Sequence, residues 1–203
     1  MMMYNITNRT VLLVIDVQNE YFSENCNLYT PNAQKCKDNL VNLINKCKEK
    51  GIAVIYIQHL HKKDGSNVGR MGDFDPTAIF IENTEGAEIL QSLPRNQEDT
   101  IIRKNRYSSF VGTNLHEHLQ NKNIDTIIIS GLMTNYCCLS TAFSASDLDY
   151  KTILVIDAVQ GPDMPDLGYG ELTQAQIKNT VATTLLGGVA DVTTTEELIK
   201  QMS

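Results

Sequence analysis

Short, uninterrupted apolar runs rich in β-branched residues recur along the chain, and they constrain its fold more than any other feature. Strands with one face in water alternate apolar and polar residues, whereas these runs do not alternate. A continuous apolar run indicates a strand buried on both faces, which is typical of a parallel sheet between two layers of helices. The predicted strands are 11–15, 52–57, 100–102, 126–129, 153–156 and a weaker 189–192.

Segments with helical periodicity separate these runs. In 32–50 the apolar residues form one stripe, and Gly51 follows where a helix C-cap is expected. Regular alternation of strands and helices predicts one α/β domain over residues 1–203: a three-layer α/β/α, Rossmann-like fold with a mostly parallel sheet of five to six strands. The further predicted helices are 115–121, 138–148, 174–186 and 196–202. The long irregular stretches 62–83 and 160–172 are expected to shape a site.

Composition excludes several classes of function. The chain of 203 residues has 17 Lys and Arg against 24 Asp and Glu, which gives a net charge of −7. We therefore expect no nucleic-acid partner and no anionic membrane surface. No apolar stretch approaches ~18 residues, so neither a membrane span nor a signal peptide is expected. Five cysteines without a C-x-x-C motif favour a reduced, cytoplasmic protein.

Reactive side chains follow the predicted strands. In open parallel sheets, ligands bind beyond the carboxyl ends of the strands, so these side chains are expected to meet at one edge. Each alone is equally consistent with a turn or a helix cap. Together they supply an acid, a base and a thiol: Asp16, His59, Lys104, Cys137 and Asp157.

Cys137 stands just before a predicted helix. The positive end of the helix dipole and the free N–H groups there favour a thiolate and could stabilise an oxyanion. Asp16 could accept the thiol proton and return it to a leaving amine, and Lys104 could pair with both groups. Cys138 is expected to pack in the core. The alternative, that both cysteines are small core residues, stays open.

The four histidines give no compelling pairing with a cysteine. His116 and His118 are expected on the solvated surface of a helix, where residues i and i+2 do not share a face. His59 and His61 lie on extended chain, where they could share a face and bind a metal. No third ligand stands at suitable spacing, so we expect neither a metal nor another cofactor.

Four blocks of sequence carry a resemblance. They are 11–19 (VLLVIDVQN), Arg103-Lys104 leading to Ser108-Ser109-Phe110, 131–137 (GLMTNYC) and Ile156-Asp157-Ala158. With these four blocks in this order, the chain resembles the isochorismatase-like cysteine hydrolases. That group includes nicotinamidases, N-carbamoylsarcosine amidohydrolases and ureidoacrylate amidohydrolases. The similarity extends from about residue 10 to residue 198.

The resemblance implies a catalytic triad of Asp16, Lys104 and Cys137. Asp16 matches the general base of the family, Lys104 its lysine and Cys137 its nucleophile. The resemblance also implies a cis peptide bond between Leu132 and Met133, with the N–H groups of Met133 and Cys137 forming an oxyanion hole. It further implies a homo-oligomer, a dimer or a tetramer.

The sequence differs from some members of this group in two respects, and both differences bear on the reaction that is expected. True isochorismatases lack the nucleophilic cysteine, so its presence favours hydrolysis of a C–N bond. Nicotinamidases carry an Asp-x-His metal motif with a further His soon after, whereas Gln58-His59-Leu60-His61 has no such Asp. We therefore expect a metal-independent amidohydrolase that cleaves a small amide or ureido/carbamoyl compound through a thioester.

Two alternatives stay open: a metal-dependent nicotinamidase, and a catalytically silent α/β binding or scaffold protein that keeps the triad as a relic. The sequence does not name the substrate, because loops build the pocket. Candidate substrate-binding residues are those near the blocks, and rim packing is the alternative for each: Asn19, Phe22, Tyr107, Phe110, Tyr136 and Gln160.

Overall fold

A computed structural model describes Tyr4, residues 6–74 and residues 79–202. Its centre is a six-stranded sheet in the order β3-β2-β1-β4-β5-β6. All neighbouring strands pair in parallel. The strands are β1 (Thr10–Ile15), β2 (Ala53–His59), β3 (Thr100–Lys104), β4 (Thr126–Leu132), β5 (Lys151–Gln160) and β6 (Asp191–Thr193).

Helices cover both faces of the sheet, so the predicted three-layer α/β/α fold is confirmed. One buried cluster joins the sheet to α1 (Ala33–Glu49) and α5 (Thr195–Gln201). A second cluster joins the other face to α2 (Leu115–Asn121), α3 (Leu139–Asp147) and α4 (Gln174–Leu186). Successive residues of β1 alternate between the two clusters. The uninterrupted apolar runs therefore arise because each strand needs apolar side chains on both faces.

The stripe predicted in α1 is the buried side of that helix: Ala33, Cys36, Leu40, Leu43, Ile44 and Cys47. The helix ends in a Schellman motif. The N–H of Ile52 donates to the carbonyl of Cys47 at 2.8 Å, and the N–H of Gly51 donates to that of Lys48 at 3.1 Å. Gly51 has a φ of +67°, where a side chain would strain the backbone.

Five of the six strands, β2 to β6, extend further toward their carboxyl ends than the apolar runs predict. The polar ends of β2 and β3 are paired in the sheet, His59 with Lys104 and Gln58 with Arg103, and β5 continues to Gln160. Hydrogen bonds across the sheet satisfy these backbones, so the strands do not need apolar residues there. Apolar runs alone therefore placed the strand ends too early.

Two other predicted segments differ in detail. The helix predicted at 138–148 is preceded by a π-helical turn, Thr134–Cys138, and is α-helical over Leu139–Asp147. The stretch 62–83 contains a 3₁₀ turn at Gly69–Asp73, and part of that stretch, residues 75–78, lies outside the described residues. Among the described helices, none is both long and apolar enough to cross a membrane.

The strand order creates a crevice between β1 and β4. These strands are neighbours, but the chain continues from β1 to β2 on one side and from β4 to β5 on the other. Ligands bind at such a switch point, beyond the carboxyl ends of the strands. Gly131 allows the close approach there, because a Cβ atom on it would lie 2.0 Å from the carbonyl oxygen of Ile15.

Candidate active site

Asp16, Lys104 and Cys137 meet at the carboxyl ends of β1, β3 and β4. The Nζ atom of Lys104 lies 2.7 Å from Oδ2 of Asp16 and 3.2 Å from Sγ of Cys137. All three side chains are buried. The structure thus brings together the three residues that the strand ends and the resemblance indicated.

The backbone around Asp16 is folded tightly to direct its side chain. Asp16 has a φ of +50°, which is uncommon for a residue other than glycine, and the N–H of Gln18 donates to its carbonyl at 2.9 Å. The Gln18 side chain then bonds β2 in both directions: its Nε2 donates to the His59 carbonyl at 2.9 Å and its Oε1 accepts from the His59 N–H at 2.8 Å. Gln18 therefore fixes the end of β1 against the end of β2.

The segment that carries Cys137 begins with a cis peptide bond between Leu132 and Met133, as the resemblance implied. The N–H of Cys138 donates to the Met133 carbonyl at 3.1 Å within the π-helical turn. Cys137 lines a cavity, whereas Cys138 is fully buried against the second cluster. The adjacent thiols thus differ in their access to a ligand.

His59 belongs to this site, at the edge of the sheet where the strand ends placed it, and its contacts are with Lys104 and Asp16. Its Nδ1 lies 3.2 Å from Nζ of Lys104 and 3.8 Å from Oδ2 of Asp16. The ring is stacked on Phe80, with centroids 4.9 Å apart. His59 ends β2 directly beside Lys104 at the end of β3, because the register of the two strands pairs these residues.

The hydrogen bonds fix the proton positions on both histidines. Nδ1 of His61 lies 3.1 Å from the carbonyl oxygen of Ile79, which only accepts, so this nitrogen carries a proton. Nε2 of neutral His61 then accepts from Nε2 of His59, 3.1 Å away. Neutral His59 is left with a lone pair on Nδ1, which accepts from Lys104. A directed chain therefore runs from Lys104 through two imidazoles to the backbone.

The charges within the site follow from burial and from these contacts. Burial alone would raise the pKa of Asp16, but the Lys104 ammonium opposes it, and the pKa lies below its usual value. Burial alone would lower the pKa of Lys104, but the Asp16 carboxylate opposes it, and the pKa is raised. Burial lowers the pKa of His59 to about 4. At neutral pH, Asp16 is therefore a carboxylate, Lys104 an ammonium and His59 neutral.

The surroundings of Cys137 favour a neutral thiol in the free protein, whereas the helix terminus led us to expect a thiolate. Burial raises its pKa to about 12, and the Asp16 carboxylate acts in the same direction, while Lys104 only partly opposes them. The helix-terminus argument assumed a partly exposed sulfur, whereas the Cys137 side chain is buried. Burial also raises the pKa of Cys138 well above its usual value.

One cluster of possible metal ligands coincides with the site. A carboxylate oxygen of Asp16, a ring nitrogen of His59 and the sulfur of Cys137 lie within 4.8 Å of one another. Nζ of Lys104 contacts the same three side chains, at 2.7, 3.2 and 3.2 Å. The ammonium thus stands where a metal ion would bind, and its charge would repel one. The residues do not fit a metal ion.

A cavity of about 420 Å³ opens above Cys137. His59 and His61 line it beside the sulfur, and we call these three side chains its floor. Two of the six candidate pocket residues, Tyr107 and Tyr136, also line it, with ring centroids 5.3 Å apart.

The other four candidates do not line this cavity. Asn19 donates to the carbonyl of Glu85 at 3.0 Å, and Phe22 packs against the first core cluster. Phe110 stacks with Tyr150. Gln160 lines a separate depression beside α1. Proximity in sequence to the blocks was the wrong criterion, because each of these side chains faces another element.

Asp157 is also directed away from the site, contrary to the expectation that it reaches the shared edge. Its Oδ1 accepts from the N–H and the hydroxyl of Thr195, both at 2.8 Å, at the start of α5. β5 continues beyond Asp157, so this residue lies within a strand and serves as a helix cap.

Comparisons with known proteins agree with this architecture. A cysteine hydrolase from Pseudomonas syringae pv. phaseolicola 1448A is 31% identical, with a TM-score of 0.94 over 98% of this chain and 95% of that one. N-carbamoylsarcosine amidase from Thermoplasma acidophilum is 26% identical, with a TM-score of 0.74 over 92% of this chain and 96% of that one. A protein of Arabidopsis thaliana named "Probable inactive nicotinamidase" is 31% identical over 163 residues, 78% of this chain and 83% of that protein.

The isochorismatase domain family model matches residues 10–197. The match includes every strand of the sheet and the cluster around Cys137. The chain therefore belongs to the isochorismatase family of hydrolases.

Proposed function

We propose that this hydrolase is a metal-independent amidohydrolase that cleaves a C–N bond of a small molecule through a thioester on Cys137. One observation carries the proposal: a buried ammonium contacts both a buried carboxylate and a thiol, and the thiol lines a cavity large enough for a small substrate. An acid–base group and a nucleophile within reach of each other are what acyl transfer requires.

Asp16 is the proposed general base for the first step. Its Oδ1 is buried and accepts no hydrogen bond from the described residues, so it is available for a proton. As the Cys137 sulfur bonds to the substrate carbonyl carbon, its proton passes to Asp16. The N–H groups of Met133 and Cys137 are the proposed donors to the carbonyl oxygen, which becomes the oxyanion.

The proton that Asp16 takes from the thiol is then used to protonate the leaving group. Asp16 delivers it to the substrate nitrogen as the C–N bond breaks, so ammonia or an amine leaves and a thioester remains. Water then attacks the thioester carbon while Asp16 takes one proton from it. The C–S bond breaks, and that proton returns to the Cys137 sulfur.

Lys104 keeps this cycle possible. Its ammonium lowers the pKa of Asp16, which leaves the base ionised despite complete burial, and it stabilises negative charge that develops on the sulfur. The chain through His59 and His61 holds the ammonium in place. We therefore assign the two histidines a positioning role.

Two alternatives are less well supported. A metal-dependent nicotinamidase needs a cation site, and the ammonium of Lys104 takes that place. A catalytically silent binding protein would have no need for the buried contacts of Lys104 with Asp16 and Cys137. Homo-oligomer formation and a cytoplasmic location remain predictions from the sequence.

The test is release of ammonia from a panel of small amides, ureas and carbamoyl compounds. At least one member should be hydrolysed by the unmodified protein, and the Cys137→Ala protein should not hydrolyse it. Equal turnover by both proteins would contradict the proposal. Tight binding of a panel member without turnover would favour the silent alternative.

A further inference from the structure

Apolar side chains form the walls above the polar floor of the cavity. One wall comes from the segment after β2, with Val68, Met71 and Phe74. A second wall comes from the segment after β5, with Met164 and Leu167. A ligand that reaches Cys137 would therefore contact hydrocarbon from both segments.

Two of these wall residues are unusually exposed. Phe74 is 86% exposed and Leu167 is 74% exposed, although both line the cavity. Large apolar side chains left in water at the mouth of a cavity are typical of a surface that an apolar ligand covers.

The described lining of this cavity carries little positive charge. Among the described residues that line it there is no Lys or Arg. Below the floor, the three protons of the Lys104 ammonium face four acceptors: Asp16, Cys137, His59 and the Arg106 carbonyl. Nη1 of Arg106 donates to the backbone carbonyls of Asn67 and Asn105. Residues 75–78 include no Lys, Arg or His.

Asp163 is the one acidic side chain among the described residues that line the cavity, and it adds to this effect. Oδ1 of Asp163 accepts from the N–H of Gln174 at 2.7 Å, at the first residue of α4. A negative charge at the cavity repels a second one, and a carboxylate moved there from water would find no Lys or Arg among the described lining residues to offset its lost hydration.

We propose that the substrate of this site is an uncharged amide with an aromatic or aliphatic body, and that amides and ureido compounds bearing a carboxylate are excluded. This inference rests on the proposed amide hydrolysis and narrows it. The amide group would reach the floor at Cys137, while the body of the molecule lies between the two apolar walls.

The experiment uses two benzamides that differ only in the para substituent, which is neutral in 4-methylbenzamide and anionic in 4-carbamoylbenzoate. Their binding is measured by calorimetry on the Cys137→Ala protein, so that the result does not depend on turnover. We expect the neutral amide to bind at least tenfold more tightly than the carboxylate. A smaller difference, a preference for the carboxylate, or no binding of the neutral amide up to 10 mM would overturn the inference.

A charge variant tests the walls directly. Leu167→Arg, combined with Cys137→Ala, places a cation at the mouth and should reduce the preference for the neutral ligand at least threefold. Leu186→Arg in the same background is the matched control, because Leu186 is also exposed but does not line the cavity. The control should leave the preference unchanged, and an equal effect of both variants would overturn the inference.

Turnover by the unmodified protein separates this inference from the proposed function. If the neutral amide binds preferentially but Cys137 hydrolyses no amide, the ligand class stands and the proposed function fails. If Cys137 hydrolyses carboxylate-bearing amides faster than neutral ones, the proposed function stands and the ligand class fails.

Discussion

Replacement of Lys104 by Met should destabilise the protein strongly, because it leaves the Asp16 carboxylate buried without its partner. Both side chains of the pair are 0% exposed, and the charged atoms are 2.7 Å apart. At an effective dielectric constant of about 20, unit charges at that distance attract by about 6 kcal/mol. Loss of one partner of a buried pair typically costs about 3–5 kcal/mol in measured stability, and we expect a value in that range.

The loss of stability in the Lys104→Met protein should be smaller at acidic pH than at neutral pH. In the unmodified protein the pKa of Asp16 is lowered, so its contribution is present above the unfolded value of 3.8 and is lost as pH falls through the lower folded pKa. Without Lys104, burial raises the folded pKa of Asp16 above that value. The folded variant then binds a proton more readily than the unfolded chain, so its deficit relative to the unmodified protein should shrink as pH falls from 7 to 5.

Urea unfolding at pH 7 and pH 5 measures both effects, and the Asp16→Asn/Lys104→Met double variant is the control. The double variant has no buried charge at either residue and should recover much of the lost stability at pH 7. A loss below 1 kcal/mol in the single variant, or a deficit that grows on acidification, would refute the electrostatic argument.

Three further predictions address the backbone, the histidines and metal dependence. Gly131→Ala should prevent native folding, because its Cβ would lie 2.0 Å from the Ile15 carbonyl oxygen; a cooperative melting transition near that of the unmodified protein would contradict this. His61→Ala should lower kcat roughly tenfold, the scale seen when a side chain that orients a functional group is removed. In the His61→Ala protein the ¹⁵N spectrum of His59 should show a changed tautomer ratio, and an unchanged ratio would contradict the chain. Hydrolysis should survive EDTA, whereas loss that added zinc or iron restores would revive the metal-dependent alternative.

The fold could be predicted because its strands are buried on both faces. The apolar run at 11–15 and the stripe in α1 need no knowledge of their partners to be recognised. Strand ends could not be predicted in the same way. Polar residues such as His59 and Lys104 are held in the sheet by pairing with each other, which only the register reveals.

The positions of the triad residues could be predicted from the sequence, but the protonation state of the thiol and the walls of the cavity could not. The rule that ligands bind at strand ends located Asp16, Lys104 and Cys137, each from the sequence around it. The protonation state of Cys137 depends on how completely neighbouring segments enclose it. The walls that contain Met71 and Leu167 come from irregular segments without a periodic pattern, so sequence spacing does not place them over the thiol.

The most direct test of the central claim is to trap an acyl group on Cys137. Reaction with 4-nitrophenyl acetate, a neutral acyl donor, should release a burst of about one 4-nitrophenolate per chain. Acid quenching and fragmentation of the peptide that contains both thiols should place the acetyl group on Cys137. Cys138→Ala should keep the burst, and Cys137→Ala should abolish it. An acetyl group on Cys138 or on another residue, or an undiminished burst from the Cys137→Ala protein, would contradict the account.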